Sequence, residues 1–182
     1  MIDGFACKPA DKVAETDFFF AGLAGTKPSA AAAPLGSAVT AGDVLAIPGL
    51  NTLGISMSRI DYAAAGGLNP PHLHPRASEI LFVIAGRLEV GFITAAGKLV
   101  SKTVSKGQVF VFPQGLMHFE RNKDDVLATA IAAFDSELPG TQRVPVALFA
   151  AVPPVADFVL ARAFGLETEV VKKIEAGITP KN

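Results

Sequence analysis

Three histidines and a glutamate define the chemistry open to this sequence. All three histidines of the 182-residue chain lie between residues 66 and 122, in two blocks. The first holds Gly66, His72-Leu73-His74, Glu79 and Gly86; the second holds Gly107, Pro113-Gln114-Gly115, His118 and Asn122. Side chains two apart on an extended strand share a face, so His72 and His74 can aim two imidazoles at one point. Pro75-Arg76-Ala77-Ser78 reads as a reversal, which returns Glu79 to that point from the next strand. His118, 46 residues beyond His72, closes the group from another strand. Three imidazole nitrogens and one carboxylate are donors for a mononuclear metal site.

Taken singly, these residues have plainer readings. A His-x-His pair on an apolar strand is often only hydrogen-bonded, and Glu79 alone suits a solvated strand edge. The framing decides between them. Gly86 and Gly107 sit where strands must turn, and Pro113-Gln114-Gly115 looks like a tight turn presenting His118. The expected metal ligands are therefore His72, His74, Glu79 and His118. Zinc, iron, manganese, copper or nickel would each accept such a nitrogen and oxygen set, so the ligands alone do not select the metal. Ile80, Phe82, Val109, Val111 and Phe119 are expected to keep the site dry. Asn69, three residues before His72, has two readings: a hydrogen-bond donor to a bound anion at the mouth, or part of an Asn-Pro-Pro turn.

The elements that must position these residues are strands. From residue 43 onward, short runs rich in Val, Ile and Phe alternate with Gly, Pro or Asn. Strands are expected over residues 55–62, 79–84, 87–92, 99–104, 108–112 and 126–134, with Ala95-Ala96-Gly97 as a hairpin turn. Residues 79–84 are almost continuously apolar, as for a strand covered on both faces, whereas 87–92 alternate. Such punctuation indicates an all-β sandwich or barrel. After Pro153-Pro154, Val155, Val159 and Ala163 recur at helical spacing with Gly165 as a stop, and a second short helix is expected over 168–176, ending at Gly177. The chain divides into an N-terminal extension (1–42), a barrel (43–150) and a helical segment (151–182). Each metal-site block occurs once, so there is a single barrel. Near the N-terminus, residues 9–13 suit a short helical turn. Phe18-Phe19-Phe20 is an apolar anchor for the barrel or a neighbouring subunit, or simply core. The alanine-rich segment 27–35 reads as a surface loop.

Composition excludes several partners. A net charge of −1, with scattered lysines and arginines, gives no footprint for nucleic acid or an anionic membrane. No apolar run is long enough to span a bilayer. Mean hydropathy is positive, which requires either an unusually complete core or apolar surface buried between subunits. Cys7 is the only cysteine, so no internal disulfide can form; by itself that points to a reducing compartment. The first residues lack a basic start and an apolar core, so they do not form a signal peptide.

The two blocks match both cupin motifs at every framing position and ligand. With Gly49-Leu50-Asn51-Thr52-Leu53-Gly54, Asn69-Pro70-Pro71-His72, Glu79-Ile80-Leu81-Phe82-Val83 and Val109-Phe110-Val111-Phe112-Pro113, the chain resembles the plant germins and germin-like proteins over nearly its whole length. That resemblance implies a jelly-roll barrel with a short C-terminal helical tail, manganese as the metal, and a hexamer built as a trimer of dimers. It also implies secretion to the plant cell wall, with the signal and the first cysteine of an N-terminal pair upstream of Met1. The activity it implies is superoxide dismutation, in which one half-reaction oxidises superoxide to dioxygen and the other reduces it to hydrogen peroxide. Two alternatives stand beside it: oxalate oxidase, and a non-enzymatic wall protein whose metal only braces the barrel. In oxalate-oxidising germins two asparagines near the metal hold the dianion. Asn69 matches one of them, and Ser58 stands at the other position.

Overall fold

The computed structural model describes residues 1, 3–25 and 33–178; most of the alanine-rich segment lies outside them. Ten strands form two antiparallel sheets of five, packed face to face. They are β1 (Ser37–Gly42), β2 (Ser56–Tyr62), β3 (Leu68–Leu73), β4 (Glu79–Ala85), β5 (Arg87–Ile93), β6 (Leu99–Ser105), β7 (Val109–Phe112), β8 (His118–Arg121), β9 (Ala128–Phe134) and β10 (Gln142–Arg143). One sheet runs β1-β2-β9-β4-β7 and the other β10-β3-β8-β5-β6, a cupin jelly roll. Strand pairing begins before residue 43, because β1 joins the first sheet inside the segment expected as an extension. Its sequence, Ser-Ala-Val-Thr-Ala-Gly, is too poor in large β-formers to announce a strand.

The interior is filled by alternate residues of both sheets. Ile60, Tyr62, Leu81, Val83, Leu88, Val90, Val104, Phe112 and Phe134 are buried together. On the same inner face, between β2 and β4, β9 presents Ala128, Ala130 and Ala132, and small Ala128 is the cross-strand neighbour of Tyr62. Gly86 makes the β4–β5 turn at φ +73°, and a Cβ there would meet the Ala128 Cβ at 2.7 Å, so only glycine fits.

The outer face of the first sheet corrects the expectation for residues 79–84. Ile80 pairs with Val111 and Phe82 with Val109, so these four side chains share one face, and all four are exposed. Met57 lies on the same face, aligned with Ile80 through Ala133. Only the alternate residues Glu79, Leu81 and Val83 point inward. Beside this face, Arg59 binds Asp61 through two nitrogens and donates to the Leu23 carbonyl, which holds the N-terminal segment on the sheet. The described N-terminal part includes a 3-10 turn, Ala10–Lys12; Phe18 and Phe19 are largely exposed, whereas Phe20 is half-buried.

Three helices follow: α1 (Val144–Phe149), α2 (Asp157–Phe164) and α3 (Thr168–Ile178). The first was not expected, because Pro145 reads as a breaker; here it sits at the helix start, where its missing N–H costs nothing. In α2 the buried residues are Leu160 and Ala161 rather than Val159 and Ala163, and Gly165 caps it as expected. Helix α3 runs through Gly177 to Ile178 and buries Val171 against Leu160 and Ala161. That small cluster is separate from the barrel core.

Candidate metal centre

Strand register assembles the site. His72 on β3 lies directly opposite His118 on β8, and Glu79 at the start of β4 lies between Phe112 on β7 and Phe134 on β9. His74 follows the end of β3, two residues beyond His72, and residues 75–78 turn the chain back to Glu79. One ligand atom from each of His72, His74, Glu79 and His118 lies within 4.8 Å of all the others, and all four side chains are buried. His74 Nε2 is 2.9 Å from Glu79 Oε2, and His118 Nε2 is 3.3 Å from the same oxygen. The donor set fits a divalent first-row metal: three imidazole nitrogens and one carboxylate converge, and no lysine or arginine among the described residues is buried with them.

Each imidazole has its other nitrogen engaged. His72 Nδ1 donates to the Pro70 carbonyl at 2.8 Å and His118 Nδ1 to the Leu116 carbonyl at 2.9 Å, while His74 Nδ1 lies 3.2 Å from Thr141 Oγ1. Such partners fix which ring nitrogen carries the free lone pair. Burial pushes the His72 pKa down to about 4, with nearby His118 adding to the effect, so its ring is neutral at ordinary pH. Without metal, burial pushes the Glu79 carboxyl up, but hydrogen bonds from His118 and His74 Nε2 outweigh this and hold it at about 2; a bound metal would take the place of those donated protons.

The dry walls are not the residues expected. Ile80, Phe82, Val109 and Val111 lie on the outer face, and Phe119 is only half-buried on the outer side of β8. Phe112, stacked on His118 at 4.4 Å, and Phe134, edge-on to His74 at 4.8 Å, enclose the cluster instead. The strand period is two, so choosing the neighbouring apolar residue inverts the face.

Asn69 and Ser58 belong to different sheets. Register shifts between Asn69 and His72, where β3 has one residue more than β8. This bulge at Pro70-Pro71 lets Asn69 face inward although it lies three residues from His72. There it flanks Glu120, which pairs with it across the strands. Ser58 faces inward from β2 and lines a cavity of about 240 Å³ with Ser56, Phe134 and Thr141.

Two interior groups escaped sequence reasoning. Glu120, fully buried two residues after His118, accepts a hydrogen bond from Tyr62 Oη at 3.4 Å, while its Oε1 has no partner of normal geometry. Burial, reinforced by the charge of Glu79, pushes the Glu120 carboxyl well above the usual carboxylate range; Asn69 and Tyr62 act the other way. Burial likewise raises Tyr62. The His118-x-Glu120 spacing was a readable signal, since both fall on one strand face. Asn122 proves structural: its amide donates to the carbonyls of Ala63 and Val126, tying down the end of β8.

The fold defines a cupin, and its four converging donors could hold a metal ion. Residues 23–172 match the cupin family model. The chain is 55% identical over 180 residues to germin-like protein subfamily 2 member 3 of Arabidopsis thaliana, covering 99% of this chain and 81% of that protein. It is 54% identical to the rhicadhesin receptor of Pisum sativum over 181 residues, 100% of this chain and 82% of the relative. A solved structure of recombinant oxalate oxidase in complex with glycolate superposes with a TM-score of 0.92 at 40% identity, covering 98% of this chain and 89% of that one. The chain belongs to the germin-like proteins of the cupin family.

Proposed function

We propose that this germin-like chain is a manganese-dependent superoxide dismutase, with His72, His74, Glu79 and His118 as the metal ligands. The observation that carries the reading is the convergence of four buried donor atoms within 4.8 Å. Bound manganese would supply one-electron chemistry between its 2+ and 3+ states. The chain's own part is to hold four donors in fixed orientation, keep His72 neutral and Glu79 ionised, and exclude bulk water with Phe112 and Phe134.

The interior favours a small, singly charged substrate over a dianion. Among the described residues no lysine or arginine is buried, whereas Glu79 and Glu120 both are. Beside the metal, oxalate would therefore meet two carboxyl groups and no buried cationic side chain of the described residues. Ser58 stands where oxalate-oxidising germins carry a second asparagine, and its hydroxyl is too short to replace a carboxamide. Losing one hydrogen bond to a charged ligand costs roughly 1.5–3 kcal/mol, about one to two powers of ten in binding or rate. Superoxide needs no such clamp. Oxalate oxidation is the second reading, favoured by Asn69 on the inner face and by the likeness to a solved oxalate oxidase.

Assembly and location follow the same reading. The apolar outer face of Met57, Ile80, Phe82, Val109 and Val111 supports burial between subunits, as in a hexamer built as a trimer of dimers. Family membership supports secretion to the plant apoplast, and no described helix is long and apolar enough to cross a membrane. The deciding assay uses protein purified without chelators, offered superoxide and, separately, oxalate. The expected result is superoxide removal that vanishes when the metal is stripped, with little peroxide formed from oxalate. Peroxide from oxalate at the rate of a dedicated enzyme would favour the second reading. Metallated protein inert to both substrates would favour the non-enzymatic wall protein.

A further inference from the structure

The three histidines are not oriented in the same way. His72 and His118 each bond a carbonyl two residues earlier in their own chain segment, so their orientation is built locally. His74 relies on the side chain of Thr141, 67 residues away, at 3.2 Å. We propose that Thr141 is the positioning residue for His74, and that Arg76 sets it by clamping the loop that carries it. This rests on His74 being a metal ligand.

The clamp is explicit. Arg76 lies in the reversal joining His74 to Glu79, so one turn both links two ligands and grips the loop of residues 138–141. Its Nε donates to the Leu138 carbonyl at 2.7 Å and its backbone N–H to the Pro139 carbonyl at 3.3 Å. The guanidinium lies over Gly140, where a Cβ would come within 2.6 Å of it and where φ is +72°. Only glycine satisfies both the contact and the left-handed backbone. Upstream, the Ser56 hydroxyl donates to the Ser136 carbonyl at 2.6 Å, and Val44 N–H to the Glu137 carbonyl at 3.0 Å. Downstream, Gln142 pairs with Leu73 and Arg143 with His72, and continuing that register sets Thr141 beside His74. The loop is thus fixed from both ends and from above. With Thr141 Oγ1 accepting from Nδ1, Nε2 of His74 is the nitrogen left to ligate a metal at the centre.

The test compares Thr141→Val, which keeps the shape without the hydroxyl, with Thr141→Ser, which keeps the hydroxyl. Manganese titration of metal-stripped protein should show roughly ten- to a hundredfold weaker binding for T141V, near wild-type binding for T141S, and unchanged melting temperatures without metal. Arg76→Met, a surface change, should weaken binding in the same direction, and it serves if T141V does not fold. Crystal structures of the metal-free variants supply a reading independent of metal: the His74 ring should turn from its wild-type position in T141V and keep it in T141S. Wild-type manganese affinity in both T141V and R76M, or T141S as impaired as T141V, would overturn the proposal. So would an unmoved ring in T141V. Wild-type protein that binds no manganese, with the His74 ring still turned in T141V, would sink the metal reading and leave the positioning role standing.

Discussion

At the residue scale, the interior sets three buried titrating groups against one another. His72 is held at about 4, below its ordinary 6.5. The unfolded chain therefore takes up that proton first, and metal-free protein loses stability as pH falls from 6.5 to 4. The loss amounts to about 3 kcal/mol. Glu79, held at about 2, extends the loss below 4.5. Denaturant titrations of metal-free protein should show this acid slope, and His72→Gln should abolish its upper part. Glu120 has the opposite sign. Its carboxyl is raised in the folded state, so its contribution is present below 4.5 and lost as pH rises. Glu120→Gln should accordingly stabilise the metal-free protein at neutral pH, with the gain shrinking towards pH 4. A melting-temperature difference between E120Q and wild type that does not depend on pH would contradict this.

At the element scale, the strands show what patterning can and cannot specify. The four converging donors were legible because residue type, spacing and turn chemistry agreed on them. The strands over 55–62, 87–92, 99–104 and 126–134 were legible for the same reason, within a residue or two. The facing of residues 79–84 was not. Ile80, Phe82 and Ile84 are as apolar as the inward Leu81 and Val83, and hydrophobicity cannot mark a face when both faces carry it. The inward facing of Asn69 was hidden by the bulge at Pro70-Pro71, since plain alternation would send it away from His72. Thr141 was hidden by distance, because no local pattern connects it to His74. Glycines at obligate turns were legible, and their cost is measurable. Gly86→Ala should lower stability by about 1–3 kcal/mol, because the new Cβ meets Ala128 at a left-handed backbone. Denaturation of that variant at wild-type stability would contradict the turn geometry.

At the scale of the whole molecule, the positive hydropathy is explained by an outer sheet face that one chain leaves uncovered. Ile80, Phe82, Val109 and Val111 stand together there, on the opposite side of the sheet from the site they were expected to line. Replacing Ile80 and Phe82 together by glutamate should reduce the mass seen by light scattering while leaving the inward residues and the metal centre intact. An unchanged mass would remove this face from the assembly. Elemental analysis tests the metal centre most directly. Wild-type protein purified without chelators should carry one manganese per chain, and His118→Ala should lose most of it while remaining folded. Zinc as the native metal, or full manganese occupancy in H118A, would contradict the account.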